Sequence, residues 1–230
     1  MQAVLNFPIS DLRFSRSFIE AIATVKLAAA ETNMELGLLD KAIGEAIVQS
    51  ASDVSKGKFD EYFVVDIFQT GSGTSTNMNA NEVISNRAIE ILGGELGSRS
   101  PVHPNDHVNT GQSSNDVIPT SIHLAAAKTI KNNLIPSLEK LKNSLLAKSD
   151  EFMPIVKTGR THLQDATPIR LGQEMLGHAG QIERSVQRAR HALKELSEVA
   201  LGGTAVGTGV NTHPEFSKLV CEKISASLGL

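Results

Sequence analysis

The sequence predicts a mainly α-helical fold, and three observations carry that prediction. Apolar residues recur at spacings of three and four through most of the chain, which aligns them on one face of a helix. In one stretch the pattern is sustained as a heptad seam: Met175, Ala179, Ile182, Val186, Ala189, Leu193, Leu196 and Ala200. Runs suited to extended structure are short, at Tyr62 to Phe68 and Ile155 to His162.

Between Asp11 and Ala30, Phe14, Phe18, Ile22, Val25 and Ala29 share a helical face, and from Leu38 to Ser55 the pattern repeats with Ile43, Ile47, Ala51 and Val54. These are two amphipathic helices joined through Gly37. A β-rich run, Tyr62 to Phe68, precedes a Gly/Ser/Thr loop; Asn79 to Leu92 is helical again and stops at Gly93-Gly94. The polar segment Gly97 to Asn115 reads as a long ordered loop, uncommon unless it has a task. Two helices follow from Asp116 to Asp150, Pro136 marking the start of the second, and then an extended piece, Ile155 to His162. Pro168 suits a first helical turn, so the seam is expected to lie on one helix from Pro168 to Ala200, about 50 Å long at 1.5 Å per residue. Ala179, Ala189 and Ala200 permit close approach while Arg184, Gln187, Arg188 and Arg190 lie off the seam, which places this helix in a bundle or a subunit interface. A last helix is expected from Pro214 to Leu230.

With 40% hydrophobic and 20% charged residues among 230, the composition is that of a folded globular protein. A formal charge of -3 provides no global positive field for nucleic acid or an anionic membrane, so an anionic ligand has to be held by local donors. Cys221 stands alone, which excludes an internal disulfide framework and fits a reducing compartment. No stretch of 18 apolar residues is present and Met1 to Ser10 lacks the pattern of a signal peptide, so the expected location is cytoplasmic.

Four polar segments can carry chemistry. Gly71-Ser72-Gly73-Thr74-Ser75-Thr76 leads into a helix, so backbone N–H groups, hydroxyls and the positive end of the helix dipole converge. Without the lysine of a phosphate-binding loop, a carboxylate is the better guest than a nucleotide; plain helix capping is the other reading. Asn77, Asn79, Asn81 and Asn86 follow, poor helix formers whose number at a helix start points to polar contacts or to a solvated face. His103 and His107, four apart in His103-Pro104-Asn105-Asp106-His107, invite a metal reading, which fails because no cysteine cluster accompanies them and Pro104 disfavours a regular helical turn; anion recognition or loop hydrogen bonding fits better. Gln112-Ser113-Ser114-Asn115-Asp116 opens a helix with hydroxyl and amide donors that serve an anion or simply cap. Thr161-His162-Leu163-Gln164-Asp165 sets an imidazole in a polar run, a candidate general acid/base or proton relay.

Taken in order, GSGTSTNMNANEV, HPNDHVN, GQSSND, GRTHLQDATP and ALGGTAVGTGVNTHP resemble the fumarase/aspartase superfamily, specifically the class II fumarases. The resemblance implies a fold in which an N-terminal helical domain, residues 1–115, is followed by the first long helices of a central helical bundle, residues 116–230. It further implies a chain truncated at both ends, ending before the loop of the form G-S-S-x-M-P-x-K-x-N whose serine serves the family as base. The activity implied is reversible hydration of fumarate to L-malate through an aci-carboxylate, in a homotetramer, without metal or organic cofactor. Carried over, Ser72, Gly73, Thr74, Ser113, Ser114 and Asn115 contact a substrate carboxylate; Thr161 and the catalytic His162 come from a neighbouring subunit; His103, Pro104, Asn105 and Asp106 match a second, non-catalytic dicarboxylate site. The implied partners are the small dicarboxylate and further copies of the chain, not nucleic acid or membrane.

Two other functions compete. Aspartate ammonia-lyase shares the aci-carboxylate strategy and most of these motifs, but Ser113-Ser114-Asn115 and Asn211-Thr212-His213-Pro214 favour fumarase. A non-catalytic helical interaction module needs only the heptad seam.

Overall fold

The computed structural model describes residues 2–229 and is mainly helical, with a single two-stranded sheet among the described residues. Helices α1 (Gln2–Asn6), α2 (Arg16–Glu35), α3 (Lys41–Ser55), α4 (Thr74–Ile91), α5 (Ser114–Thr129) and α6 (Ile135–Phe152) are followed by strands β1 (Val156–Thr161) and β2 (Gln164–Arg170), and then by α7 (Leu171–Leu196) and α8 (Phe216–Leu228). The chain divides into two compact units: residues 1–126 with 197–230, and residues 127–196.

In the first unit the apolar stripe of α2 is the centre of the core. Ile22, Val25 and Ala29 are fully buried, and Ile47 and Val54 of α3, Ile84 and Ile89 of α4, and Phe216 and Val220 of α8 pack around them. Helix α3 starts where the Asp40 carboxylate accepts the backbone N–H groups of Ala42 and Ile43, satisfying two donors that have no partner within the helix. Helix α4 stops at Gly93, whose φ of 74° is the left-handed conformation that a C-terminal glycine supplies without steric cost. The α3 and α4 helices are also tied by charge: the buried Asp53 carboxylate accepts from Lys58 at 2.7 Å and from Arg87 at 3.4 Å, and the Lys58 hydrogen bond holds it below the usual carboxylate range.

The second unit is the pair α6 and α7 with the β1–β2 hairpin. The heptad seam faces α6: Ala179 and Val186 are buried and Ile182, Ala189 and Leu193 half-buried, while Leu176, Gly177 and Gly180 on the other side are exposed. The helices approach closely at Gly172, where a Cβ would come within 2.3 Å of the Ser149 carbonyl oxygen; the Ser149 hydroxyl donates to the Gly172 carbonyl at 2.8 Å.

Four sequence expectations are corrected. Pro168 does not open a helix but lies in β2, opposite Thr158, so α7 begins at Leu171, ends at Leu196 rather than Ala200, and is about 39 Å long. A two-stranded sheet exposes both its edges, which is why it accommodates a proline lacking an N–H. Tyr62 to Phe68 forms no strand: Asp60–Tyr62 is a 3₁₀ turn, and the segment ends in turns held by Asp66, whose carboxylate accepts the Phe68 N–H. The two helices expected between Asp116 and Asp150 are joined without a loop through a π-helical turn, Ile130–Leu134, and the first begins at Ser114. Within the long loop, Pro104–Val108 forms a π-helical turn; Pro104 sits at its first position, where the missing N–H is of no consequence.

Candidate active site

The two donor loops of the first unit converge at the N-termini of α4 and α5. Gly73 precedes α4 with a φ of 73°, and a Cβ there would lie 2.9 Å from the Ile118 side chain on α5, so only glycine permits this approach. One turn into α4, the buried Asn77 side chain donates through Nδ2 to the Ser114 hydroxyl at 3.0 Å, joining the two helix starts directly. The Ser72 and Thr74 hydroxyls lie 3.1 Å apart and exposed, while Ser113 and Ser114 are partly accessible. Ser72, Gly73, Thr74, Ser113 and Ser114 are thereby brought together. Asn115 donates through Nδ2 to the Ala205 carbonyl oxygen at 2.7 Å, so part of its donor capacity is already taken.

Behind these loops lies a polar core. Asn109 Oδ1 accepts from Lys26 Nζ at 2.8 Å, from Asn77 Nδ2 at 3.2 Å and from Asn81 Nδ2 at 3.3 Å. Lys26 also donates to Gln112 Oε1 at 3.0 Å. Its side chain is 0% exposed, and burial pushes the ammonium down to about 7, a shift that the Asp116 carboxylate partly counters. Asp116 itself accepts the Ser113 N–H through one oxygen and the Gly202 and Thr204 N–H groups through the other, fixing the Gly202–Gly209 loop against the start of α5. In sequence Lys26 is one cation on an alanine-rich helix and Asp116 one acid at the end of a donor-rich motif, so composition marks neither as an anchor. The signal was present: Lys26 lies one position from Val25 and three from Ala29, inside the apolar stripe rather than opposite it.

Thr161 and His162 belong to the other unit. Thr161 pairs with Gln164, so His162 and Leu163 are the two turn residues of the β1–β2 hairpin, at φ of 48° and 60°. Positive φ at both positions is the type I′ geometry that suits the twist of a hairpin and normally selects Asn-Gly. Neither residue is asparagine or glycine, and such left-handed positions carry strain. Both are exposed, Leu163 at 93%.

The His103 segment caps itself. His103 Nδ1 accepts the Asp106 N–H at 3.2 Å and lies 3.2 Å from the Asp106 carboxylate, while His107 Nδ1 accepts the His103 N–H at 2.9 Å. Both Nδ1 atoms thus accept backbone N–H groups, and among the described residues no group of three His, Cys, Asp or Glu side chains is placed to hold a metal ion. Asn105 and Asp106 are exposed and Pro104 buried.

A family model described as Lyase matches residues 2–230. The chain belongs to that lyase family. Over 229 residues this lyase chain is 56% identical to the class II fumarate hydratase of Halobacterium salinarum, covering all of the chain and 48% of that relative. It is 56% identical over 227 residues to the mitochondrial fumarate hydratase of Saccharomyces cerevisiae, covering 98% of the chain and 46% of the relative. The recombinant class II fumarase of Schistosoma mansoni has the same fold, with a TM-score of 0.95 at 41% identity over 99% of the lyase chain and 48% of that structure. The lyase chain thus spans about half the length of the relatives it matches. Among its described residues no helix is long and apolar enough to cross a membrane.

Proposed function

We propose that this segment belongs to a class II fumarate hydratase and supplies the carboxylate-binding part of its site, for reversible hydration of fumarate to L-malate. The observation that carries the reading is the junction of the two helix starts through Asn77 and Ser114. Removal of a proton from carbon beside a carboxylate places a second negative charge on that carboxylate. Fixed hydroxyl and N–H donors already aimed at it lower the barrier without reorganising. Ser72, Gly73 and Thr74 at the start of α4, with Ser113, Ser114 and Asn115 at the start of α5, are such a set, and the helix dipoles add to it.

His162, presented with Thr161 on a hairpin tip, is assigned to water orientation or proton relay in the site of a neighbouring copy. His103, Pro104, Asn105 and Asp106 are assigned to a second dicarboxylate site. In the complete chain residues 1–115 form the N-terminal domain and 116–230 the first part of the bundle, a homotetramer is the functional unit, and the location is cytoplasmic. The relatives' names support fumarate over aspartate as substrate.

The decisive experiment follows the ultraviolet absorbance of fumarate with the 230-residue chain and with the complete chain that carries it. Conversion by the complete chain alone is expected, since the family's base-bearing loop has no match within residues 1–230. A complete chain that deaminates aspartate and leaves malate untouched would overturn the assignment.

A further inference from the structure

Among the described residues, the largest fully buried side chain is a lysine. Lys26 sits on α2 among Ala23, Val25, Ala29 and Ala30, all buried, and its Nζ donates to Asn109 and Gln112 and to no carboxylate. Burying an ammonium without a counter-ion in contact is costly, and such groups are uncommon unless their charge is used. The two acceptors are not arbitrary. Asn109 Oδ1 also receives the Asn77 and Asn81 amides, and Asn77 in turn donates to the Ser114 hydroxyl; Gln112 immediately precedes Ser113. In the same cluster Asn77 Oδ1 and Asn81 Oδ1 are buried with no hydrogen-bond partner. The network therefore has a single cation, Lys26, set among amide acceptors, and Asn77 links it to the Ser114 hydroxyl at the start of α5.

From this geometry we infer that Lys26 is a positioning residue of the dicarboxylate site: its ammonium holds Asn109 and Gln112, and through them the Asn77–Ser114 junction, and attracts the bound carboxylate from behind. The inference rests on the dicarboxylate reading of that site and adds a linkage to it, because carboxylate binding and Lys26 protonation must favour each other.

The charged groups on the elements packed against α2, and on α5, permit such a linkage. On α5, Asp116 acts on it but is occupied by the Ser113, Gly202 and Thr204 N–H groups. On α3, Asp53 is paired with Lys58 and Arg87; on α2 itself Glu35 pairs with Lys223 of α8; and beside the π-helical turn His103 and His107 use Nδ1 as acceptors from backbone N–H groups. Burial brings Lys26 to about 7, within reach of neutral pH. With the free ammonium titrating there, a carboxylate that requires it charged loses affinity as pH rises, by about tenfold per pH unit at the limit.

The test is calorimetry of succinate, an unreactive four-carbon dicarboxylate, binding to the complete chain between pH 6 and 9, in two buffers of different ionisation enthalpy. For the unmodified protein, binding is expected to weaken across this range with uptake of part of a proton. Lys26→Met, close in volume and neutral, is expected to bind at least tenfold more weakly at pH 6.5 and to take up less proton near neutral pH. Asn109→Asp places a carboxylate where the amide was and should hold Lys26 charged, moving the fall in affinity upward by about a pH unit or more. It keeps the proposal testable if Lys26→Met does not fold. Succinate binding whose pH profile and proton uptake are the same in all three proteins overturns the role of Lys26 and leaves the dicarboxylate site standing. Absence of succinate binding at every pH in the unmodified protein removes the dicarboxylate site itself, and this inference with it.

Discussion

Asp116 Oδ2 accepts the backbone N–H of Thr204 at 2.8 Å, tying the first turn of α5 to a loop 88 residues later in the chain. That one carboxylate also accepts from Ser113 and Gly202, so three buried or half-buried backbone donors depend on it. Both the α5 donor set and the Gly202–Gly209 loop are placed by a residue that itself need never touch substrate.

Asp116→Ala is expected to cost about 3 kcal/mol of stability, since several N–H groups lose a charged acceptor at once and remain desolvated. Asp116→Asn, which keeps one acceptor oxygen, should cost less. Chemical denaturation of the two variants checks the order; equal costs would mean that the carboxylate charge contributes nothing to holding the loop.

Lys26 gives stability a pH dependence of defined sign. Its folded-state value, about 7, lies below that of an unfolded lysine, so between the two the unfolded chain binds more protons and stability rises with pH. The slope contributed by one group is at most about 1.4 kcal/mol per pH unit. Thermal unfolding between pH 7 and 10 should show this rise in the unmodified protein and a flatter curve in Lys26→Met.

Asp53 acts in the opposite direction. Its carboxyl is held low by Lys58 and Arg87, so its contribution is complete above the unfolded value near 4 and is lost as pH falls through the folded value. Asp53→Asn is expected to lower the melting temperature at pH 7 and to narrow its gap to the unmodified protein at pH 3. A gap that stays constant from pH 7 to pH 3 would exclude the charge as the cause.

How legible was this molecule in its sequence? The helices that bury a stripe were legible, because Ile22 and Val25, and Ile47 and Val54, repeat at the helical period and the structure buries each of them. The hairpin was half legible. Extended structure at Val156–Thr161 followed from its residues, but its partner strand did not, since Pro168 reads as a helix start and His162-Leu163 is not a turn sequence. Both misreadings have one physical origin: pairing across a two-residue turn can override local preference, whereas sequence patterns report only local preference. The donor loops at Ser72–Thr74 and Ser113–Asn115 stood out by composition, yet what joins them, Asn77 to Ser114 and Lys26 to Asn109, consists of contacts between residues 37 and 83 positions apart, which no local pattern encodes.

Gly172 and Gly177 lie on one helix and are expected to respond oppositely to alanine. A Cβ at Gly172 would meet the Ser149 carbonyl oxygen at 2.3 Å and the Met153 backbone at 2.7 Å, so Gly172→Ala must push α6 and α7 apart and should destabilise their packing by about 2 kcal/mol. Gly177 has nothing within 4 Å, and there alanine raises helix propensity by up to about 1 kcal/mol. Melting curves of the two variants in the 230-residue chain check the contrast.

His162→Asn, made in the complete chain, is expected to lower turnover by about a hundredfold or more while substrate affinity changes little, because a proton-handling group contributes at the transition state rather than in the bound ground state. The hairpin tip sharpens the test. Asparagine tolerates a positive φ better than most residues, so the φ of 48° at this position is no obstacle to the substitution, and the turn geometry should be preserved. A loss of turnover then reports the missing imidazole rather than a collapsed hairpin. Leu163→Gly serves as the complementary control: it relieves the left-handed strain at φ 60° without touching the ring, and should leave the His162-dependent step in place. Steady-state kinetics of both variants, with assembly checked by sizing, separate the outcomes. Unchanged turnover in an intact His162→Asn assembly would remove this histidine from the chemistry.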